Sequence, residues 1–494
     1  MIPTSPSPTA PRRPLDRRAR HPGTRVRDAL ALLGALAIAG CGGGGAGDGG
    51  SGGEDEGDGG SPGGRPVAGA GTERPDGECG VEAMNATVEG HMRDYYLFAD
   101  RVPRVRASDH DSPEALLEAL RVDPPDAFSY IGDAGLTNAF FEEGVRFGYG
   151  WIIRTDARGR RTLALVEPGS PLELAGVVRG EALMSVNGET IDELVAGDRV
   201  ATVLGAPGEA RTVELGIEGV DGAVRTVTVT SGEYDVTAVA DVRTLEPAGP
   251  GGPKVGYLLF QDFVATAGAE LDAAFAYLAG EGVGELVLDL RYNGGGRIDV
   301  ARDLASRIVG DSVAGRDFAR FRLNERYQGA YEAAGRADDL AVPFADLPDS
   351  LDLARVHVLA TERTCSASEM VVNGLAPFVD VVTVGAHTCG KPYGFSGREF
   401  CGKVLNAVEF EFVNDAGVGG YVDGLSPDCP VADDLARPFG DPAEGMLAAA
   451  LASATGDGCP ALLADAPDGA LAARERSGPV VEPANPYRDE FRTR

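Results

Sequence analysis

Four largely apolar runs, at residues 255–260, 285–290, 356–360 and 381–385, constrain this chain more than any other feature. Between them lie segments with helical spacing of apolar residues, near 269–279, 298–309 and 366–375. A strand with apolar residues on both of its faces must be covered on both, and parallel sheets flanked by helices provide that cover. The expectation is therefore an α/β core over residues 250–460, with functional groups at the carboxyl ends of its strands.

The rest of the chain divides by composition. Residues 1–41 carry seven Arg and two Asp, then an apolar run that closes on Ile38-Ala39-Gly40-Cys41. This reads as a secretory signal, with small residues before Cys41 marking it for lipidation; the rival is an uncleaved short anchor. Gly42 and Gly43 follow without an Asp, which suggests outer-membrane sorting on the periplasmic side of a cell envelope. Fourteen of the twenty-three residues 42–64 are Gly, so residues 42–78 read as a disordered tether. Residues 79–135 show helical spacing with a capping signal at Ser112, the mark of a small helical N-terminal domain. Residues 461–494 are rich in Pro, Ala and charge and read as a loosely ordered tail.

Residues 136–235 change to short β-rich runs punctuated by Gly and Pro. Three segments occur in order: Phe147-Gly148-Tyr149-Gly150-Trp151, Pro168-Gly169-Ser170-Pro171, and Arg179-Gly180-Glu181 leading into Met184-Ser185-Val186-Asn187-Gly188. Together they resemble a PDZ domain. That resemblance implies substrate binding at Gly148, Tyr149, Gly150 and Trp151, where a glycine-bearing loop offers N–H groups to a peptide carboxylate beside an open sheet edge. The competing reading is a small β-barrel with turn glycines.

The net charge of −31 argues against nucleic acid as a partner. Lysine is nearly absent, with only Lys254, Lys391 and Lys403 against forty-two arginines. Setting Cys41 aside leaves six cysteines, an even set that suggests disulfides in an exported chain. Proximity favours Cys389 with Cys401 and Cys429 with Cys459, leaving Cys79 and Cys365. No spacing makes a zinc site. The segment Gly419-Gly420-Tyr421-Val422-Asp423-Gly424 with Asp433-Asp434 lacks the regular acidic spacing of a calcium loop and reads as a solvated turn.

The densest chemistry is Thr364-Cys365-Ser366-Ala367-Ser368-Glu369 at the end of one strand, with Gly390-Lys391-Pro392 after the next. A serine at a strand-to-helix turn has an exposed hydroxyl, and the helix N-terminus favours negative charge developing there. The hydroxyl needs a base; a lysine in an apolar pocket can serve, whereas arginine cannot. His387 is the competing base and Cys365 the competing nucleophile. Glu369 and Asn373, about one and two helical turns beyond Ser366, either support the site or cap the helix. A second element, Leu288-Asp289-Leu290-Arg291-Tyr292-Asn293-Gly294-Gly295-Gly296, runs a buried strand into three glycines that let backbone approach a ligand closely. It lacks the Lys-Ser/Thr of a phosphate-binding P-loop.

These motifs resemble the C-terminal processing peptidases, or tail-specific proteases, over roughly residues 79–460. The resemblance implies a crotonase-like α/β core preceded by a PDZ domain, and a serine peptidase with a Ser/Lys dyad. By position, Ser366 would be the nucleophile, Lys391 the general base, and the amides of Gly295 and Ala367 the oxyanion hole. Some members carry an Asp eleven residues after the nucleophile or a Gln four residues after the lysine; here Pro377 and Phe395 stand there. The implied protein is a lipid-anchored envelope endopeptidase, without metal or organic cofactor, that cleaves proteins near their free C-termini. The alternative is a non-catalytic envelope lipoprotein that holds peptides, and a third reading is a scaffold for other envelope proteins.

Overall fold

The computed structural model describes residues 79–156, 158–246, 252–455 and 459. The signal segment with Cys41, the glycine-rich stretch to residue 78, residues 248–251 of the linker and the tail 461–494 lie outside the described residues. Among the described residues no helix is long and apolar enough to cross a membrane.

The apolar runs become a six-stranded sheet: β1 (Val239–Leu245), β2 (Val255–Phe260), β3 (Glu285–Asp289), β4 (Arg355–Ala360), β5 (Asp380–Gly385) and β6 (Cys429–Pro430), hydrogen-bonded in chain order. From β2 to β6 the neighbours are parallel, and β1 closes one edge antiparallel to β2. A parallel sheet wound in one direction with right-handed crossovers stacks its crossover helices on one face. Those helices are α1 (Ala267–Gly280), α2 (Ile298–Val309) and α3 (Ala367–Leu375), with α2 between and against the other two. The opposite face is covered by α4 (Gly445–Ala454), whose Met446, Leu447 and Ala450 pack in one cluster with Tyr257, Val287 and Leu359. Every residue of β2 and β3 is buried, as strands covered on both faces require.

Helices Val81–Asp94 and Pro113–Leu120 form the N-terminal part, the second capped by Ser112 Oγ accepting the Ala115 N–H at 3.1 Å. Their Val88, Met92, Leu116 and Leu120 share a core cluster with Tyr393 and Leu405 from late in the chain. Residues 151–230 form a five-stranded antiparallel sheet whose first strand, Trp151–Thr155, is an edge. This sheet meets the core where Ile152, Ala164 and Leu165 pack with Tyr292. A further sheet, absent from the sequence reading, pairs Asp317–Leu323 with Phe410–Val413 and Ala341–Pro343, with Tyr393–Gly394 beyond.

Among the described residues there are three disulfides: Cys79–Cys401, Cys365–Cys389 and Cys429–Cys459. The third is as sequence proximity suggested, but the expected Cys389–Cys401 pair is not formed. The loop after β5 folds back toward the turn after β4, which takes Cys389 to Cys365. Cys401 sits in the turn between strands Arg398–Phe400 and Lys403–Asn406, and it fastens Cys79 at the start of the N-terminal part.

A buried ion network ties the β-rich part to the core. Arg291 is fully buried, with its guanidinium on Asp289 at 2.6 Å, Asp433 at 2.8 Å and Glu444 at 3.0 Å. Arg179, from the β-rich part, reaches Asp433 at 2.6 Å. Burial pushes the Asp433 carboxyl up, but Arg179, Arg291 and the Tyr292 hydroxyl more than offset this and bring it down to about 2. Asp433, read from sequence as part of a solvated turn, is thus a buried anchor.

His357 on β4 is completely buried, and burial lowers its pKa from 6.5 to about 4. The native ring binds fewer protons than the unfolded one across that window. Its contribution is therefore fully present above pH 6.5 and is lost as the pH falls toward 4, a change of about 3 kcal/mol at roughly 1.4 kcal/mol per unit. Glu285, 3.8 Å away, is pushed up by burial and acts in the opposite sense, so the His357 part is isolated by subtraction. Thermal unfolding of wild type and His357→Gln between pH 4 and 7 should show a steeper acid decline in wild type; parallel curves would refute this.

Candidate active site

The site is assembled from the loops that leave the carboxyl ends of β3, β4 and β5. After β4 the chain makes a short turn, held where Thr364 Oγ1 donates to the Leu290 carbonyl at 2.9 Å, and enters α3 through Ser366. Ser366 has φ 54° and ψ −113°, a left-handed conformation that a residue with a Cβ adopts only under tertiary constraint. It is half-buried, at the mouth of a helix whose first amides have no intrahelical acceptor. The loop after β3 lies against this turn: the Asn293 carbonyl accepts from Cys365 N at 3.1 Å and from Ser368 Oγ at 3.0 Å. Gly295 has φ +97°, and a Cβ there would stand 2.8 Å from Ala367 N, the Cys365 carbonyl and Ser366 Cβ, so only glycine fits.

Lys391 follows β5 and is 3% exposed. Its ammonium lies 4.6 Å from the centre of the Phe395 ring and 5.5 Å from that of Phe128, contacts that attract a cation to an aromatic face. Ser366, Ala367, Gly295 and Lys391 line one cleft of about 670 Å³ whose walls include Phe140, Phe141, Ile298 and Phe412. An apolar wall with a few converging polar groups is the usual form of a small-molecule or peptide site. Four residues singled out in the sequence are thus brought together.

Glu369 joins the two halves of the site. Its carboxylate is fully buried and accepts from Ser366 N at 3.0 Å, Lys391 N at 2.9 Å and Gly390 N at 2.8 Å, and also from Thr388 Oγ1. Burial raises its pKa, while these donors act to lower it. The Cys365–Cys389 disulfide makes the same link covalently, one residue before Ser366 and two before Lys391. Among the described residues, the ligand atoms of Cys365, Glu369 and Cys389 lie within 4.8 Å of one another, but the two sulfurs are bonded to each other and not presented as thiolates.

Residues 254–431 match peptidase family S41, and residues 83–130 match the peptidase S41 N-terminal domain. The chain carries a peptidase family S41 domain. The chloroplastic C-terminal processing peptidase of Tetradesmus obliquus is 29% identical over 326 residues, covering 61% of this chain and 62% of that protein. The chloroplastic carboxyl-terminal-processing peptidase 1 of Arabidopsis thaliana is 27% identical over 312 residues, covering 62% and 58%. This chain therefore spans about 60% of the length of these curated relatives. A crystal structure described as an S41 protease from Bacteroides fragilis superposes with a TM-score of 0.58 at 26% identity, over 75% of this chain and 97% of that one.

Within the S41 domain, several sequence candidates fall elsewhere. His387 is exposed, 3.5 Å from Ser426 Oγ, and is not among the cleft-lining residues. Cys365 is buried in its disulfide. Asn373 holds the Val418 carbonyl at 3.0 Å and serves local packing. The Gly295 amide donates to Asn293 Oδ1 at 2.8 Å, so one of the two expected oxyanion donors is engaged within its own loop.

Gly148, Tyr149, Gly150 and Trp151 line a separate pocket of about 490 Å³ with Leu204, Gly205 and Ser231. Gly150 has φ +86°, and a Cβ there would overlap Ser170. Tyr149 turns inward, its hydroxyl donating to the carbonyls of Leu204 and Arg211 at 3.1 and 2.9 Å. Sequence reasoning missed the link between this pocket and the S41 cleft. Arg146, buried in the wall of the pocket, pairs with Glu167 and, at 2.8 Å, with Asp262, a residue of the cleft. An isolated arginine in a β-run gives no sequence signal for such a contact.

Proposed function

We propose that this chain is a serine endopeptidase of the cell envelope that cleaves proteins near their C-termini through an acyl-enzyme on Ser366. The observation that carries this reading is the placement of Ser366, in a strained turn at a helix start, in one cleft with Lys391. Lys391 takes the proton of Ser366 Oγ as that oxygen attacks the scissile carbonyl, and returns it to the leaving amine. Water then attacks the ester by the same route in reverse. The Ala367 N–H, at the first turn of α3, faces the negative charge that develops on the carbonyl oxygen. The Gly295 N–H joins it when that oxygen displaces Asn293 Oδ1.

In this reading the sequentially wound core is crotonase-like, and the five-stranded module is a PDZ domain that takes the substrate tail at Gly148 to Trp151. The edge strand Trp151–Thr155 supports this, since a peptide strand can add to it while loop amides receive its carboxylate. Lipidation at Cys41 would hold the enzyme at the membrane, with protein substrates, not nucleic acid, as its partners. Three disulfides fit an exported chain.

The test is digestion of casein and of an unfolded protein with either a free or an amidated C-terminus, with mass spectrometry of the product termini. Cleavage without cofactor is expected, with the amidated tail cut about 10-fold more slowly, the scale of one lost charge-assisted contact. Binding of the tail without any cleavage would overturn the enzyme reading in favour of the peptide-holding lipoprotein.

A further inference from the structure

We propose that the Cys365–Cys389 disulfide is a reversible modification site, at which a dithiol reductant uncouples the nucleophile turn from the base loop and lowers turnover. This rests on the peptidase reading above. The other two disulfides involve no cleft-lining residue: Cys79 is tied to a hairpin turn, and Cys429, buried on β6, to Cys459 beyond α4. Cys365–Cys389 alone among the three lies inside the site, adjacent to Ser366 and two residues from Lys391. It joins loops from β4 and β5 that also meet through the Glu369 carboxylate and through the Cys389 N–H, which donates to the Thr364 carbonyl at 3.1 Å beside the disulfide.

Access is unequal on the two sides. Cys365 is fully buried, whereas Cys389 is partly exposed. An external thiolate therefore attacks Cys389 Sγ. The sulfur of Cys365 leaves as a thiolate beside the N-terminus of the nine-residue helix α3, whose partial positive charge favours the anion. The reductant's second thiolate then attacks the mixed disulfide at the reductant's own sulfur and releases Cys389. Two electrons pass from the reductant to the protein pair, two protons end on Cys365 and Cys389, and the reductant becomes a cyclic disulfide.

The consequence follows from how the site is held. Ser366 sits in an unfavourable backbone region that surrounding ties must enforce, and Cys365 is the residue immediately before it. Released from Cys389, the turn keeps its hydrogen bonds to the Leu290 and Asn293 carbonyls but loses its covalent tether to the loop that carries Lys391, so that loop can draw away from it. Cys389 Sγ lies 3.3 Å from Glu369 Oε2, so as a free thiol it becomes one more donor to the carboxylate that positions Ser366 N and Lys391 N. A displacement on the order of 1 Å between a nucleophile and its base costs up to about 100-fold in rate. Such a site keeps the enzyme weak in a dithiol-rich compartment and activates it where disulfides form.

The experiment uses the full chain, with dithiothreitol as the reductant and alkylation with mass spectrometry to report each pair. Wild type with Cys365–Cys389 open should lose turnover about 10-fold or more and regain it on reoxidation. The Cys365→Ala/Cys389→Ala variant should stay at the low rate whatever the redox state. Wild type that keeps full turnover with this pair open would overturn the proposal, as would a double variant that responds like wild type, since another disulfide would then carry the effect. Hydrogen exchange at residues 388–391 gives a readout independent of proteolysis. Faster exchange on reduction supports uncoupling even if the peptidase reading fails, and unchanged exchange counts against it.

Discussion

Replacing Lys391 by Arg should reduce kcat/KM for tail cleavage by about 1,000-fold while leaving the melting temperature close to wild type. The substitution keeps a cation over the faces of Phe395 and Phe128, so the packing of the cleft survives. What it removes is the ability to accept a proton, because a guanidinium stays protonated under all working conditions. A general base contributes about 100- to 10,000-fold, and an unassisted serine hydroxyl is a poor nucleophile. Ser366→Ala should fall to a similar floor. The double variant should be no worse than either single one, because groups acting as a unit are grossly non-additive. If the two losses multiplied, Ser366 and Lys391 would be acting in separate steps; if Lys391→Arg cut at the wild-type rate, the amine would not be the base.

Which features were legible in the sequence follows from how local their causes are. The strands β2 to β5 declared themselves because their central residues are buried on both faces and mostly apolar, with polar residues such as Glu285, His357 and Asp380 too few to break the runs. The sheet of Asp317–Leu323 and Phe410–Val413 did not. Its strands mix Arg and Glu with Phe, and their partners lie about ninety residues apart. Local pattern placed Ser366 and Lys391 at the carboxyl ends of adjacent strands but said nothing of what holds them. Glu369 shows the limit well. The Ser-x-x-Glu spacing suggests a helix cap, and the carboxylate does accept the Ser366 N–H. Its other donors come from a loop about twenty residues later, and only the tertiary fold brings that loop to α3. The pairing of Cys365 with Cys389 instead of Cys389 with Cys401 has the same origin, since chain separation carries no information about which way a loop folds. Phe395 stands where some relatives were expected to carry a polar partner for the lysine, and its aromatic face against the ammonium could be found only from coordinates.

Glu369→Gln is expected to lower kcat about 100-fold with little change in KM, and Glu369→Ala to destabilise the fold by about 3–5 kcal/mol. Each carboxylate oxygen now accepts two donors: Thr388 Oγ1 and Gly390 N on one, Ser366 N and Lys391 N on the other. In the alanine variant three backbone N–H groups and a hydroxyl lose their buried acceptor. An orphaned group costs about 1–3 kcal/mol, and partial relaxation keeps the total below the simple sum. That variant reads stability, by denaturant unfolding. The glutamine variant reads positioning: its carbonyl satisfies one pair of donors, but its NH2 group faces the other pair donor to donor. Either the Ser366 side or the Gly390 side must then shift, and a shift of about 1 Å between reacting groups is worth up to 100-fold. Substrate held at the five-stranded module and the cleft walls does not touch Glu369, so KM should hold while kcat falls. A glutamine variant that folds and turns over at the wild-type rate would show that the disulfide alone aligns the site. Equal losses in kcat and in melting temperature across both variants would reduce Glu369 to a structural anchor.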